Sequence, residues 1–381
     1  MEAIVAQVKS LAQGVDGAAH NSILQSLREL YLSLETRQDT MQRISYAHLE
    51  PILVKIGLDL NLFNIFVESK TPLTIAQLCD RTAAASDLLG RILRYLASVG
   101  AIKETGKDTF MANNITKHLS DLGVQSAVYH NIQSLAPALL ALPEFLAQIK
   151  YQDITSPVNT PLQKAFNTDL PGFLWAQTQP DVFRHFNQFM MAQHADMPHW
   201  LDSYPIEQRS QGLAPEQTLF VDIGGGIGHQ CIALRERLSA VKNNVILQDL
   251  DVVVAQAIKH EGVETMAYDF WQLQPIKGSR FYYMRNIMHD YPEEKAVIIL
   301  KNAISALGPD SVILIDDMVL PGSGVHFHAT QIDITMMSVL ASHERTITQW
   351  YALMEKAGLK IKQIYTYNSR YDSVLECVPA E

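Results

Sequence analysis

Three glycines, Gly224, Gly226 and Gly228, stand at alternate positions in the segment LFVDIGGGIGHQCIAL, beginning two residues after Asp222. At a turn from strand to helix, the missing side chains let backbone amides come close to a ligand. The next strand, NVILQD, ends in Asp249, twenty-one residues past Gly228. A carboxylate there can accept hydrogen bonds from both hydroxyls of a ribose, with Leu250 directly beside it. Dinucleotide turns read GxGxxG, whereas this chain reads GGGIG behind an acid and lacks the strand-helix repeat of a second nucleotide half. The pattern favours S-adenosylmethionine over a dinucleotide or a purely structural turn. A second constellation lies in RNIMHDY, where His289 follows a strand expected to end at the carboxyl edge of a sheet and Asp290 is a support residue. Methyl transfer from a sulfonium is an in-line displacement, which needs an acceptor oxygen held near the methyl carbon and relieved of its proton. A neutral histidine suits the second task near pH 7, although on position alone a histidine after a strand is more often structural than catalytic.

Those residues need a sheet to hold them. From Thr218 the chain alternates strands TLFVDIG, NVILQD, VETMAY, RFYYMRNI and SVILIDD with helices over 228–238, 251–259 and 292–307. Such alternation predicts an α/β fold, a parallel Rossmann-like sheet with helices on both faces. The polar segment 207–217, with Gly212 and Pro215, separates it from a first half that reads as helix after helix. Leu24, Leu27, Leu30, Tyr31 and Leu34 illustrate the helical spacing. The expected organisation is a helical, winged-helix dimerisation domain over 1–125, a helical connector lining the substrate pocket over 126–210, and a cofactor-binding domain over 211–381.

The winged helix is read from LTIAQLCDRTAAASDLLGRILRYLASVGAIKETGKDTFMAN, two short helices followed by a turn at Gly106. DNA is not its expected partner, because the second helix offers only Arg91 and Arg94 beside Asp87. Hydrophobic helices around 52–66 suit a protein surface better, and a homodimer is expected. With 40 acidic against 30 basic side chains, a net charge of −10 and no basic block, the whole chain argues against nucleic acid and for a small-molecule substrate. Cys79, Cys231 and Cys377 share no metal-binding spacing and read as reduced thiols. His326 and His328 form an HxH pair with no third ligand evident, so no metal is expected. The first residues lack a hydrophobic core ending in a cleavage site, and the most apolar stretch, 135–149, is interrupted by Pro137, Pro143 and Glu144. That stretch is too short to cross a bilayer, so a cytosolic protein without membrane contact is expected.

The winged-helix segment, FNTDLPGFLW, FNQFMMAQ, the glycine turn, MRNIMHDYPEEK, DDMVLP and HERTITQWYALMEKAGLK together resemble the class I methyltransferases over nearly the whole chain. The likeness is to the plant and fungal O-methyltransferases similar to caffeic acid O-methyltransferase. It implies that Asp249 holds the ribose, that Asp269 and Phe270 of YDFW flank the adenine, and that Arg285 lies near the methionine part of the cofactor. Core packing is the competing reading for Phe270 and Trp271. The resemblance also implies that His289 is a base flanked by two acids, Asp317 before MVLP and Glu344 in HERT. A carboxylate on the other imidazole N–H would fix the tautomer, and Glu344 is the candidate. A solvated turn acid competes as the reading of Asp317, and an ion pair with Arg345 or a lysine as that of Glu344. Ala341, Ser342 and His343 stand where the family often has paired glycines. The acceptor is expected among Phe186, Met190, Met336 and Met337, with Trp175 and His130 shaping the choice; methionines adapt to an irregular aromatic or polyketide-like ligand, although core filling is the plainer reading of them. Some proteins similar to these bind the cofactor without transferring its methyl and catalyse dehydration or pericyclic reactions, which is the alternative function.

Overall fold

A computed structural model describes residues 2–192 and 197–380. Two compact units emerge, one of Met1–Pro143 with Ala165–Asp196, the other of Glu144–Lys164 with Met197–Glu381. The segment 126–210 is shared between them.

In the second unit the apolar runs become the strands β1 (Phe220–Ile223), β2 (Val245–Asp249), β3 (Glu264–Ala267), β4 (Phe281–Arg285) and β5 (Val312–Met318). The hairpin β6 (Leu359–Thr366) and β7 (Asp372–Pro379) follows, giving a seven-stranded sheet in the order β3-β2-β1-β4-β5-β7-β6. The first five strands pair in parallel, and β7 runs antiparallel to both β5 and β6. The alternation of the sequence anticipates the five parallel strands but not the final hairpin. The reason is Glu376, fully buried in the middle of β7, which breaks the apolar run that marks an internal strand. Its carboxylate is matched by Lys362 at 3.3 Å and Arg209 at 3.4 Å.

Both faces of the sheet are covered, as central strands buried on two sides require. Val221, Ile223, Met284, Ile313 and Ile315 pack against helices Glu293–Ile304 and Ile347–Ala357, with Trp350 and Leu353 at the centre. Phe220, Leu247, Phe281 and Tyr283 pack on the other side against helix His229–Arg237, Trp200 and Tyr204. Because β1 pairs with β2 on one side and β4 on the other, the chain order reverses there, the place where open α/β sheets bind ligands.

The first unit has its own core of Leu62, Phe63, Phe66, Leu78, Leu89, Leu93, Leu96 and Phe110. Helices Ile75–Thr82 and Ser86–Ser98 precede strands Lys103–Gly106 and Thr109–Met111, the element order read from the sequence. Thr74 and Gln77 form a capping box that starts the first of these helices. Further along, a five-residue π-helical turn, Asn131–Leu135, follows helix Leu122–His130. By contrast, helices Glu2–Leu11, Gly17–Leu34 and Arg37–Tyr46 bury no residue, and Leu24, Leu30, Tyr31 and Leu34 are exposed. Among the described residues no helix is long and apolar enough to cross a membrane.

Candidate active site

The glycine turn leaves β1 with Gly224, Gly226 and Gly228 all in the left-handed region, at φ of 72°, 62° and 97°. A Cβ on Gly226 would meet no atom within 4 Å, so the turn presents bare backbone to open space. Gly224 N and Gly225 N donate to Gln248 O at 2.8 and 3.1 Å, fastening the turn to β2. Asp249 ends β2 with its carboxylate already oriented: Gly226 N donates to Oδ2 at 2.8 Å and Leu250 N to Oδ1 at 2.7 Å. Burial pushes its pKa upward against those two bonds. Asp222 is buried beneath the turn, where it accepts from the Cys231 thiol at 3.6 Å while its Oδ1 has no partner. Desolvation raises its pKa to about 7.

Asp269 and Phe270 follow β3. Asp269 is exposed and accepts from Trp271 N at 3.0 Å. Phe270 is half-buried, packs edge-on to Trp271 and Tyr291 with centroids at 5.4 and 5.8 Å, and faces the glycine turn at Gly224. It serves the core and the turn together, so neither reading of the sequence excludes the other. Arg285, at the end of β4, lies 3.4 Å from Asp316, whose carboxylate also accepts from the hydroxyls of Tyr283 and Tyr367.

The catalytic candidates meet around a short 3₁₀ turn, Met288–Asp290. His289 Nδ1 lies 2.7 Å from Glu344 Oε1, and its Nε2 lies 3.4 Å from Asp290 Oδ1. Burial alone would lower the imidazole's pKa, but Asp290, Glu344 and Asp317 together hold it up at about 10. Burial raises Asp290 to about 6 against the pull of His289. Asp317 is buried, not a solvated turn acid, and burial lifts its pKa far above the usual carboxylate range. It does not hydrogen-bond the ring; its Oδ2 accepts from Met288 N at 3.3 Å, and its Oδ1 has no partner.

Two further residues brace this arrangement: Arg345, expected only as an ion-pair partner of Glu344, and Asp333, which the sequence did not single out. Arg345 is buried and donates to Met288 O at 2.6 Å and Tyr291 O at 3.0 Å, bracketing the histidine rather than pairing with Glu344. Asp333 accepts from Glu344 N at 2.9 Å. The only signal in the sequence is their placement, Arg345 next to Glu344 and Asp333 on the helix before it, and neither spacing reveals a contact. Ala341 takes a left-handed φ of 55°, a region that glycine adopts without strain.

The acceptor-side candidates fall on both units. Met336 and Met337 are half-buried on helix Phe327–Leu340, which also carries Asp333. In the first unit, His130 packs on Phe186 with centroids 5.5 Å apart, and burial lowers its pKa to about 4. Met190 is half-buried on the helix that carries Phe186, and Trp175 stacks on Phe166 at 4.0 Å. Gln193 of FNQFMMAQ lies outside the described residues. His326 Nδ1 accepts from His328 N at 3.2 Å, and among the described residues no group of three His, Cys, Asp or Glu could hold a metal ion.

Residues 160–360 match a family model described as an O-methyltransferase domain. The chain is 38% identical over 380 residues to the demethylsterigmatocystin 6-O-methyltransferase of Aspergillus parasiticus, covering 100% of this chain and 98% of that protein. One solved structure described as a pericyclic reaction enzyme superposes at a TM-score of 0.95 and 37% identity, covering 100% of this chain and 99% of its own. LepI in complex with SAM does so at the same TM-score and identity, covering 100% and 98%.

Proposed function

The chain belongs to the O-methyltransferase family, and on that premise we propose that it methylates a hydroxyl of a small aromatic or polyketide-like secondary metabolite with S-adenosylmethionine as cofactor. When bound, S-adenosylmethionine supplies a methyl group activated by its sulfonium charge, which passes to the acceptor oxygen and leaves S-adenosylhomocysteine. The residues at the switch point fit that cofactor. Gly226 faces open space, Asp249 is oriented by two backbone N–H groups, and buried Asp222 carries an oxygen without a partner. Asp249 and Leu250 would hold the ribose, Asp269 and Phe270 the adenine, and Arg285 the methionine end.

His289 is the general base in this reading. The observation that carries it is the 2.7 Å contact of Nδ1 with Glu344, which leaves Nε2 to take the acceptor's proton and lets Glu344 stabilise the imidazolium formed. In the protein alone Asp290 lies beside Nε2 and the carboxylates hold the ring at about 10, so an acceptor hydroxyl must take Asp290's place at that nitrogen. Removing a carboxylate from the ring and bringing a positive charge near it both lower its pKa toward neutrality. The test is transfer of isotopically labelled methyl to a panel of phenolic and polyketide-like acceptors. Labelled O-methyl product is expected; substrate consumed without label would overturn the reading.

The raised pKa of His289 favours a second reading, in which the ring stays an imidazolium and donates to a substrate oxygen during dehydration or a pericyclic reaction. The likeness to a structure described as a pericyclic reaction enzyme supports it. We also propose a homodimer, supported by the exposed apolar residues of Gly17–Leu34. Light scattering at micromolar concentration is expected to give twice the 42.7 kDa mass of one chain, and a monomer would remove the idea.

A further inference from the structure

Two fully buried glutamines beside the cofactor residues have no part in the scheme above. Gln248 directly precedes Asp249 at the end of β2, and its side chain exchanges hydrogen bonds with Gln274 in both directions, at 3.0 and 2.8 Å. Its backbone carbonyl accepts from Gly224 N and Gly225 N. One residue therefore joins three segments: the glycine turn through its carbonyl, Asp249 through the peptide bond, and the stretch 268–276 through its amide.

That stretch carries Asp269 and Phe270 and belongs to no strand or helix; Tyr268 N donates to Asp249 O at 2.9 Å at its near end, and further along side-chain bonds join in holding it. It is pinned a second time from helix Glu293–Ile304. Gln274 N donates to Asn302 O at 3.2 Å, and Asn302 Nδ2 donates to Phe270 O at 2.9 Å. Gln274 Oε1 also accepts from Ile276 N at 3.1 Å, closing the far end. Two apolar side chains would fill the same space without the cost of burying amides. A reciprocal amide pair adds something an apolar pair lacks: each amide is satisfied at one separation of β2 from the stretch and orphaned at others.

We propose that Gln248, Gln274 and Asn302 are positioning residues that set the distance from Asp249 to the pair Asp269 and Phe270, and so fix the affinity for the adenosine end of the cofactor. The inference rests on the cofactor placement proposed above. Wild-type binding of S-adenosylhomocysteine, lost or strongly weakened in Asp249→Asn, checks that placement independently.

The test uses Gln248→Leu, Gln274→Leu, the double variant and Asn302→Ala, each titrated by calorimetry with S-adenosylhomocysteine and with 5′-methylthioadenosine, alongside melting temperatures. Both ligands share the adenosine end, so every folded variant is expected to lose affinity for both by the same factor, about tenfold. The double variant leaves neither glutamine amide facing a lost partner and is expected to regain stability that the single variants lose, without regaining affinity. Recovery of affinity together with stability would mark the pair as merely structural and overturn the proposal. Affinity within about twofold of wild type in any folded glutamine variant would do the same. Asn302 is half-buried, so its truncation reads the same stretch even where a buried glutamine variant fails to fold.

Discussion

Asp249 and His289 both stand at the carboxyl side of one sheet, yet different kinds of atoms hold them. Asp249 is gripped by two backbone N–H groups, from Gly226 and from its own neighbour Leu250. His289 is gripped by a side chain 55 positions downstream, on a turn that the guanidinium of Arg345 brackets and to which Asp317 is bonded. A backbone grip survives most changes of side chain. The grip on His289 gathers Asp290, Asp317, Glu344 and Arg345 in little solvent, where each polar group is tolerable only while its partners remain. If Asp249 and His289 play the roles proposed for them, the Asp249 end should lose affinity gradually on substitution, and the His289 end should lose function abruptly.

The sharpest way to break that contrast is His289→Gln. Turnover is expected to fall by about 10²–10⁴-fold while affinity for S-adenosylhomocysteine, read by calorimetry, stays as in wild type. A variant with full turnover would refute the base. Glu344→Gln is expected to cost about 10²-fold. Because Glu344 raises the pKa of His289, its neutral replacement should also move the acid limb of the kcat profile to lower pH; an unmoved limb would show that the carboxylate does not act on the ring. Asp249→Asn is milder, weakening cofactor binding by about ten- to a hundredfold with kcat little changed at saturating cofactor. A collapse of kcat there would erase the distinction between the two ends.

A further effect is on stability. His289 is raised from 6.5 to about 10 in the folded protein, so its stabilising interaction is fully present below pH 6.5 and is lost as the pH climbs toward 10. The melting temperature of wild type is expected to fall more steeply across that window than that of His289→Gln. Parallel curves would show that ring and carboxylates do not interact.

The same contrast governs what the sequence could reveal. The glycine turn and Asp249 lie within one strand-turn-helix-strand unit, so composition and spacing expose them. His289 was visible as a residue type after a strand, but its partner Glu344 came only through the family resemblance, because no local pattern links positions so far apart. The roles of Arg345 and Asp333 stayed hidden for a further reason: a buried arginine serving two carbonyls looks, in sequence, like any charged residue in a loop, and reads as an ion-pair partner of Glu344. The β6–β7 hairpin was missed on similar grounds, since Glu376 reads as polar while standing in the sheet interior. Gln248 and Gln274, at opposite ends of a 26-residue separation, carry no periodic signal at all.

The position of β7 has a consequence in time. During synthesis the first five strands can pair in the order in which they appear, but β6 finds no partner in the sheet except β7, which also covers the free edge of β5. Until residues 372–379 arrive, the strand bearing Asp316 and Asp317 is an exposed edge, and β6 is unanchored. The glycine turn can therefore take shape while the chain is still growing, whereas the ground beneath the turn of His289 waits for residues 372–379.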